Sequence, residues 1–379
     1  FTTLQLWIGI RSSLQFASRS KRPEMDQGKK LASLIASGKK KMDMDLKEVI
    51  REHALCHLPA KAIRRFTAVC RDWKHHVASP FFSHNQSLSF RGLSGFFCIS
   101  LSARVEFLSL DPLAYGIPDP SLISLLPEPV DVRCSSNGLV CCQGRTGYKP
   151  YYICNPVTGK WKKLPKPTAE HGPDPAVVLI FEPALLNFVA EYKLVCVFQS
   201  DLDGLEFEIY SSTEGSWRIS GEICFGNNSV VPGSDVYAGG VVYWKTSSHG
   251  LLAFDLATER TTFPECYSGP IGQVNGKLCS AYIGGTRLFI TEMDNPYADT
   301  MGMGAKRRSR RQKVVNLPQS SEFQLAKASV IFVGYDTVVM RSGKSLACYD
   351  MRTKEFQVIS TRVNFTERMV PYVNSLVEL

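Results

Sequence analysis

The chain has 379 residues, of which 44% are hydrophobic and 21% charged, with a formal net charge of +9 at pH 7. This is long for one small module and apolar enough for a substantial core; no run of about 18 apolar residues offers a transmembrane helix, so a soluble chain with no membrane contact is expected. Residues 1–41 hold nine Lys/Arg against Glu24 and Asp26, and Lys306–Lys313 holds six Lys/Arg and no acid, so the rest is mildly acidic. Basicity confined to one tail and one loop argues against nucleic acid as the main partner.

No acid precedes Glu24. An acid-free start bearing Ser and Arg, with Leu4, Leu6, Trp7 and Ile8, reads as an organelle transit peptide or as a leader ahead of a natural start at Met25 or Met42; the second is preferred. Residues 1–43 are expected to be a disordered basic segment, and Lys39-Lys40-Lys41 a solvated run or a nuclear signal.

The next segment is a small helical unit. Leu46, Ile50, Ala54, Leu55 and Leu58 form one apolar stripe. Pro59 presets φ and gives up an N–H that a first turn cannot use, so a helix should begin there. Its apolar positions fall at Ile63, Phe66, Val69, Cys70, Trp73 and Val77 at the spacing of a single stripe, and Ser79-Pro80 should end the segment before Phe81-Phe82. A unit this small buries little by itself and needs a partner.

Leu58-Pro59-Ala60-Lys61-Ala62-Ile63, Arg65-Phe66, Val69-Cys70-Arg71-Asp72-Trp73 and Ser79-Pro80-Phe81-Phe82 resemble the F-box in the variant common among plant F-box proteins. Leu46 takes the place of that motif's opening Leu, and Lys47 stands where its opening Pro is expected. The resemblance implies an F-box over residues 44–86 that binds the Skp-type adaptor of a cullin-RING (SCF-type) ubiquitin ligase, while the rest of the chain selects the protein to be ubiquitinated. The adaptor-facing or module-supporting positions it implies are Leu46, Ile50, Leu55, Leu58, Pro59, Ile63, Val69, Cys70 and Trp73.

From about Phe90, short β-branched and aromatic runs alternate with Gly, Asn, Asp and Pro clusters, which predicts an all-β region over 90–379. One turn recurs: Tyr152-Ile153-Cys154-Asn155-Pro156-Val157-Thr158-Gly159-Lys160-Trp161 is echoed around Ser211, Asp255 and Asp350. In each copy a small polar residue caps the turn through its own side chain, and Trp161, Trp217, Thr261 or Phe356 stands six positions later, expected to return to the core face. The spacing predicts a missing copy near residue 302 and another near Phe107-Leu108-Ser109-Leu110. Asn137–Cys141, Lys193–Cys196, Gly240–Trp244, Asn275–Cys279 and Gly334–Val339 read as inner strands. Roughly six such units fit a β-propeller of kelch-like blades, and Asn155-Pro156-Val157-Thr158-Gly159-Lys160-Trp161 with Leu164-Pro165 also resembles plant F-box-associated interaction domains.

Little else carries chemistry. Twelve scattered cysteines without CxxC or zinc spacing read as reduced, buried thiols. His53 and His57, four apart, read as helix-surface residues, so neither metal nor cofactor is expected. No GxSxG, P-loop or paired-carboxylate signal nominates a catalytic residue, and the chain is read as a non-enzyme. Lys306, Arg307, Arg308, Arg310, Arg311 and Lys313 form a partner-docking or nuclear-signal loop, in which Ser309 phosphorylation would reduce the charge. The reading is a substrate receptor in nucleus or cytoplasm, partnered by adaptor, cullin and an unknown protein substrate. Its rival is an adaptor-independent propeller scaffold that binds nucleic acid through the basic loop.

Overall fold

The computed structural model describes residues 46–99, 105–110, 123, 126–185, 188–200, 203–226, 229–265, 268–297, 311–360 and 368–379. The N-terminal segment 1–43 and Lys306–Arg310 lie outside them. Helix α1 is irregular: Leu46–Val49 is α-helical, Ile50–Ala54 a π turn and Leu55–His57 a 3₁₀ turn.

Pro59, with φ −58° and ψ 143°, is the N-cap of α2, Ala60–Phe66. The single stripe expected from Ile63 to Val77 is in fact two helices. Thr67 Oγ1 turns back to donate to Arg64 O at 2.6 Å, a bond that competes with helix continuation, and Cys70 is fully extended before α3, Arg71–Val77, begins. The break swings Val69 and Cys70 off the stripe and into solvent. Ser79-Pro80 opens a helix rather than closing the segment: Ser79 Oγ accepts from Phe82 N at 3.2 Å and Pro80 occupies the first turn of α4, Pro80–Ser89. Its missing N–H costs nothing in that turn.

Beyond α4 the chain builds six antiparallel sheets. Blades 2 to 6 have four strands each, and their innermost strands are Val130–Ser136, Ala176–Phe181, Val236–Ala238, Ile271–Val274 and Ser329–Gly334. Blade 1 combines both parts of the chain: Met369–Tyr372 lies innermost and pairs with Gly95–Ile99 in the register Phe97↔Val370, and Val105–Ser109 lies outside it. Contacts link each innermost strand to the next from blade 1 to blade 6. Phe96 packs edge-on to Phe332 at 5.2 Å and closes the ring between blades 6 and 1. The architecture is a small helical module followed by a six-bladed β-propeller.

The strands read as inner are the second strands of blades 2 to 6, Leu139–Gly144, Tyr192–Gln199, Val241–Lys245, Lys277–Gly284 and Thr337–Ser342. A second strand has paired neighbours on both edges and adjacent blades on both faces, so it is the more continuously apolar. The innermost strand has one free edge toward the channel and tolerates polar residues.

The recurrent turn joins the third and fourth strands, and its side-chain cap is present in all four copies. Asn155 Oδ1 accepts from Val157 N (2.9 Å), Ser211 Oγ from Glu214 N (3.5 Å), Asp255 Oδ2 from Thr258 N (3.0 Å) and Asp350 Oδ1 from Thr353 N (2.8 Å). Trp217 and Phe356 return to the core and Thr261 is half-buried. Trp161 does not return: it stays 44% exposed on Lys160–Lys163, an outer strand exposed along its length. The copy expected near 302 falls in the third-to-fourth connection of blade 5, between Arg287–Glu292 and Gln312–Asn316, although residue 302 itself lies outside the described residues. Val105–Ser109, around Phe107, is the corresponding third strand of blade 1.

Gly272 sets how closely blades 5 and 6 approach, since a Cβ there would lie 1.6 Å from Val333 O. Gly272→Ala should therefore lower the unfolding free energy by about 3 kcal/mol or more, because backbone rather than a movable side chain stands in the way. A chemical-denaturation midpoint within error of the parent would contradict this packing.

Candidate functional site

Antiparallel alternation gives the propeller two unlike ends. First-to-second and third-to-fourth turns open at one end; second-to-third turns and inter-blade loops open at the other. The helical module sits on the first end, over blades 1 to 3. His84 packs edge-on to Phe181 at 6.3 Å, Phe81 to Phe188 at 6.2 Å, and Ser87 Oγ donates to Asn137 O at 3.5 Å.

The seam is built around the segment that follows the ring-closing strand. Leu376 and Val157 share one core with Leu55, Cys56, Ala60, Ile63, Val77 and Phe82. Gln86, fully buried, donates from Nε2 to Leu58 O and accepts Leu376 N at Oε1, both at 3.2 Å. Asn155 uses its free Nδ2 to donate to Ser375 O (3.0 Å) and Val377 O (2.7 Å). The residue that caps the first turn thus also holds the segment that completes the helical core. Gln86, Asn155 and Leu376 were not singled out as docking residues, because each contact joins positions far apart in sequence and leaves no local pattern.

The implied adaptor positions divide by burial. Leu55 and Ile63 are core, at 1% and 0% exposed, and support the module. Ile50, Leu58, Pro59 and Trp73 are half-buried, Trp73 edge-on to Phe66 at 5.7 Å. Leu46 at the start of α1 and Val69-Cys70 between α2 and α3 face solvent, Leu46 and Val69 at 68% and 60%. These are the apolar groups the module offers outward. His53 lies in a π turn and His57 in a 3₁₀ turn, so their spacing does not place them on one α-helical face. Among the described residues, no group of three or more His, Cys, Asp or Glu is placed to hold a metal, and no helix is long and apolar enough to cross a membrane.

Arg311 and Lys313 of the basic loop are exposed and line a cleft of about 500 Å³ between blades 5 and 6, with Glu292, Asp336 and Arg352. The eleven described cysteines are free; nine are buried, Cys348 is half-buried and Cys70 is exposed. Burial pushes the thiols of Cys56, Cys98, Cys196, Cys224 and Cys279 up, Cys98 to about 12, which keeps them as thiols rather than nucleophiles.

The other end presents Tyr148, Phe225, Val231 and Phe263 as exposed apolar groups on its turns and loops. Its best-fixed loop joins blades 2 and 3. Trp217 Nε1 donates to Pro165 O at 2.9 Å, and the fully buried Glu208 accepts from Thr168 N (2.8 Å), Ala169 N (3.2 Å) and His171 Nε2 (2.6 Å). His171 Nδ1 lies 2.9 Å from the Tyr151 hydroxyl, so a neutral imidazole protonated at Nε2 satisfies both neighbours. Burial acts to raise the Glu208 pKa, but the hydrogen bonds from His171 and Thr168 outweigh it and hold the carboxyl below its ordinary range.

A family model described as "F-box protein At3g26010-like, beta-propeller" matches residues 120–360, which run through blades 2 to 6. The chain belongs to this family of plant F-box proteins. Relatives from Arabidopsis thaliana include an F-box/kelch-repeat protein, At1g15680, 28% identical over 47% of this chain and 46% of its own length. F-box protein At5g49610 is 33% identical over 33% of this chain and 35% of its own, and F-box protein ETP2 is 26% identical over 55% and 58%. The matched part of the chain spans about half the length of these curated relatives. A solved chain of the mitotic checkpoint complex aligns at a TM-score of 0.32 and 13% identity, over 60% of this chain and 62% of that one.

Within this F-box protein, Glu208→Gln should cost about 2 kcal/mol at neutral pH by replacing a charged acceptor of several donors. The folded-state pKa lies below the unfolded one, so the carboxylate's contribution is full above the unfolded value and is lost as pH falls through the folded one. Denaturation of parent and variant at about pH 7 and about pH 3 should show the gap narrowing in acid; a gap independent of pH would contradict an ionised Glu208.

Proposed function

We propose that this F-box protein is the substrate-recognition subunit of an SCF-type ubiquitin ligase in the nucleus or cytoplasm. The F-box engages a Skp-type adaptor, and through it a cullin, with Leu46, Val69 and Cys70. The propeller end that carries the inter-blade loops receives the target protein, and the transfer chemistry belongs to other subunits.

The observation that carries this reading is the docking of the F-box. It is fixed to one end of the ring by a shared core and by Gln86, while exposed apolar groups at Leu46 and Val69 point away from that seam. They are exposed apolar side chains of the module available to an adaptor. The opposite end stays open for a second partner, so the chain can hold adaptor and target at once.

Val69→Asp tests the adaptor face without touching the core. It should reduce co-purified Skp-type adaptor about tenfold or more while leaving thermal unfolding unchanged. Pro59→Ala/Trp73→Ala should also lose adaptor, with some loss of module stability because Trp73 packs on Phe66. Equal adaptor recovery from parent and Val69→Asp, or none from the parent, would overturn the proposal.

A further inference from the structure

The channel enclosed by the six innermost strands has a volume of about 740 Å³, within the range of cavities that hold small molecules. Each innermost strand pairs on its outer edge alone, which leaves backbone N–H and C=O groups toward the channel. Its charged lining is unbalanced: Arg91, Arg133, Lys245 and Arg368 face Glu182 and Asp235.

The excess is concentrated at the mouth away from the F-box. Arg133 Nη1 and Arg368 Nη1 both donate to the same oxygen of Asp174, Arg368 at 2.7 Å. Arg133 Nη2 donates to Pro173 O at 2.6 Å and to Asp131 at 3.4 Å, while Arg145 takes the other oxygen of Asp131 from Nη2 at 2.6 Å. Two guanidinium groups share one carboxylate oxygen, so Arg133, Arg145 and Arg368 exceed Asp131 and Asp174 by one charge and are balanced only by Asp235, and Asp174 itself is 56% exposed and open to exchange. The Arg133 side chain is only 7% exposed, yet among the described residues its Nε finds no acceptor, and neither does Nε of Arg368. A buried guanidinium N–H without an acceptor is costly, and an incoming anion would supply one. Asp235, whose carboxyl feels the charge of Arg368, is pushed up to about 6 by burial, so its negative charge is held at a cost.

We propose that this channel mouth is a binding site for a small anion bearing phosphate or carboxylate groups, held by Arg133 and Arg368 in exchange for Asp174. Planar guanidinium pairs recognise both kinds of oxyanion by forked hydrogen bonds. The competing role is a strut: Arg368 also donates from Nη2 to Arg133 O at 3.1 Å and so ties the ring-closing strand to blade 2. The two roles respond oppositely to loss of Asp174, which frees an anion site but only weakens a strut. The site stands independently of the ubiquitin-ligase reading.

Isothermal titration of the full chain with inorganic pyrophosphate and, separately, citrate at fixed ionic strength decides between them. The site predicts saturable binding in the parent, roughly tenfold weaker in Arg368→Gln and several-fold tighter in Asp174→Asn and Asp235→Asn, each of which removes a competing negative charge. Lys160→Gln, on the exposed outer strand of blade 2, should leave binding unchanged. Tighter pyrophosphate assigns a phosphate ligand, tighter citrate a carboxylate, and parity an unselective oxyanion site. Absence of saturable binding in both parent and Asp174→Asn overturns the proposal, as does weaker binding in Asp174→Asn or an equal loss in Lys160→Gln. Asp235→Asn, which breaks no hydrogen bond of the cluster, keeps the test valid if Arg368→Gln fails to fold.

Discussion

The pairing of Met369–Tyr372 with Gly95–Ile99 is the interaction on which the rest of the molecule depends. A propeller has no covalent closure, and here backbone hydrogen bonds between distant parts of the chain supply it. Side chains reinforce them: Tyr372 packs on Phe97 at 5.2 Å and on Phe107 at 6.0 Å, and Val370 and Tyr372 enter the core shared by blades 1 and 2. The residues that follow run directly into the F-box seam. One short stretch therefore closes the ring and completes the helical core.

The two ends of the ring are stabilised by different physics, and this suits different tasks. At the F-box end, apolar burial and neutral amide bonds through Gln86 and Asn155 form a contact with little dependence on salt. At the far end, arginines and carboxylates hold loops through charge, and such contacts respond to ionic surroundings. One end is thus a permanent joint within the chain and the other an exchangeable surface.

Much of this was legible in the sequence, for identifiable reasons. The F-box resemblance rests on residues adjacent in the chain, and the turn at Asn155, Ser211, Asp255 and Asp350 uses side chains that bond their own backbone; both signals are local. The reading failed where the structure depends on neighbours not visible along the chain. Ile63 to Val77 keeps the spacing of one helix, yet Thr67 and Cys70 break it and turn Val69 outward. The second strands were legible as inner strands, but the innermost ones carried no such signal, because continuous apolarity reports how many neighbours cover a strand, not its distance from the axis. The seam around Gln86 and Leu376, and the arginine cluster at the channel mouth, join residues far apart in the chain and had no sequence signal at all.

The shared core of the F-box also imposes an order on biosynthesis. Leu376 is translated 290 residues after Gln86, the side chain it must meet, so the helices emerge early but stay incompletely packed while every blade is made. A chain interrupted anywhere in the propeller would carry the F-box sequence without its finished form. The finished surface of the F-box is in this way made conditional on an intact ring, whatever partner that surface serves.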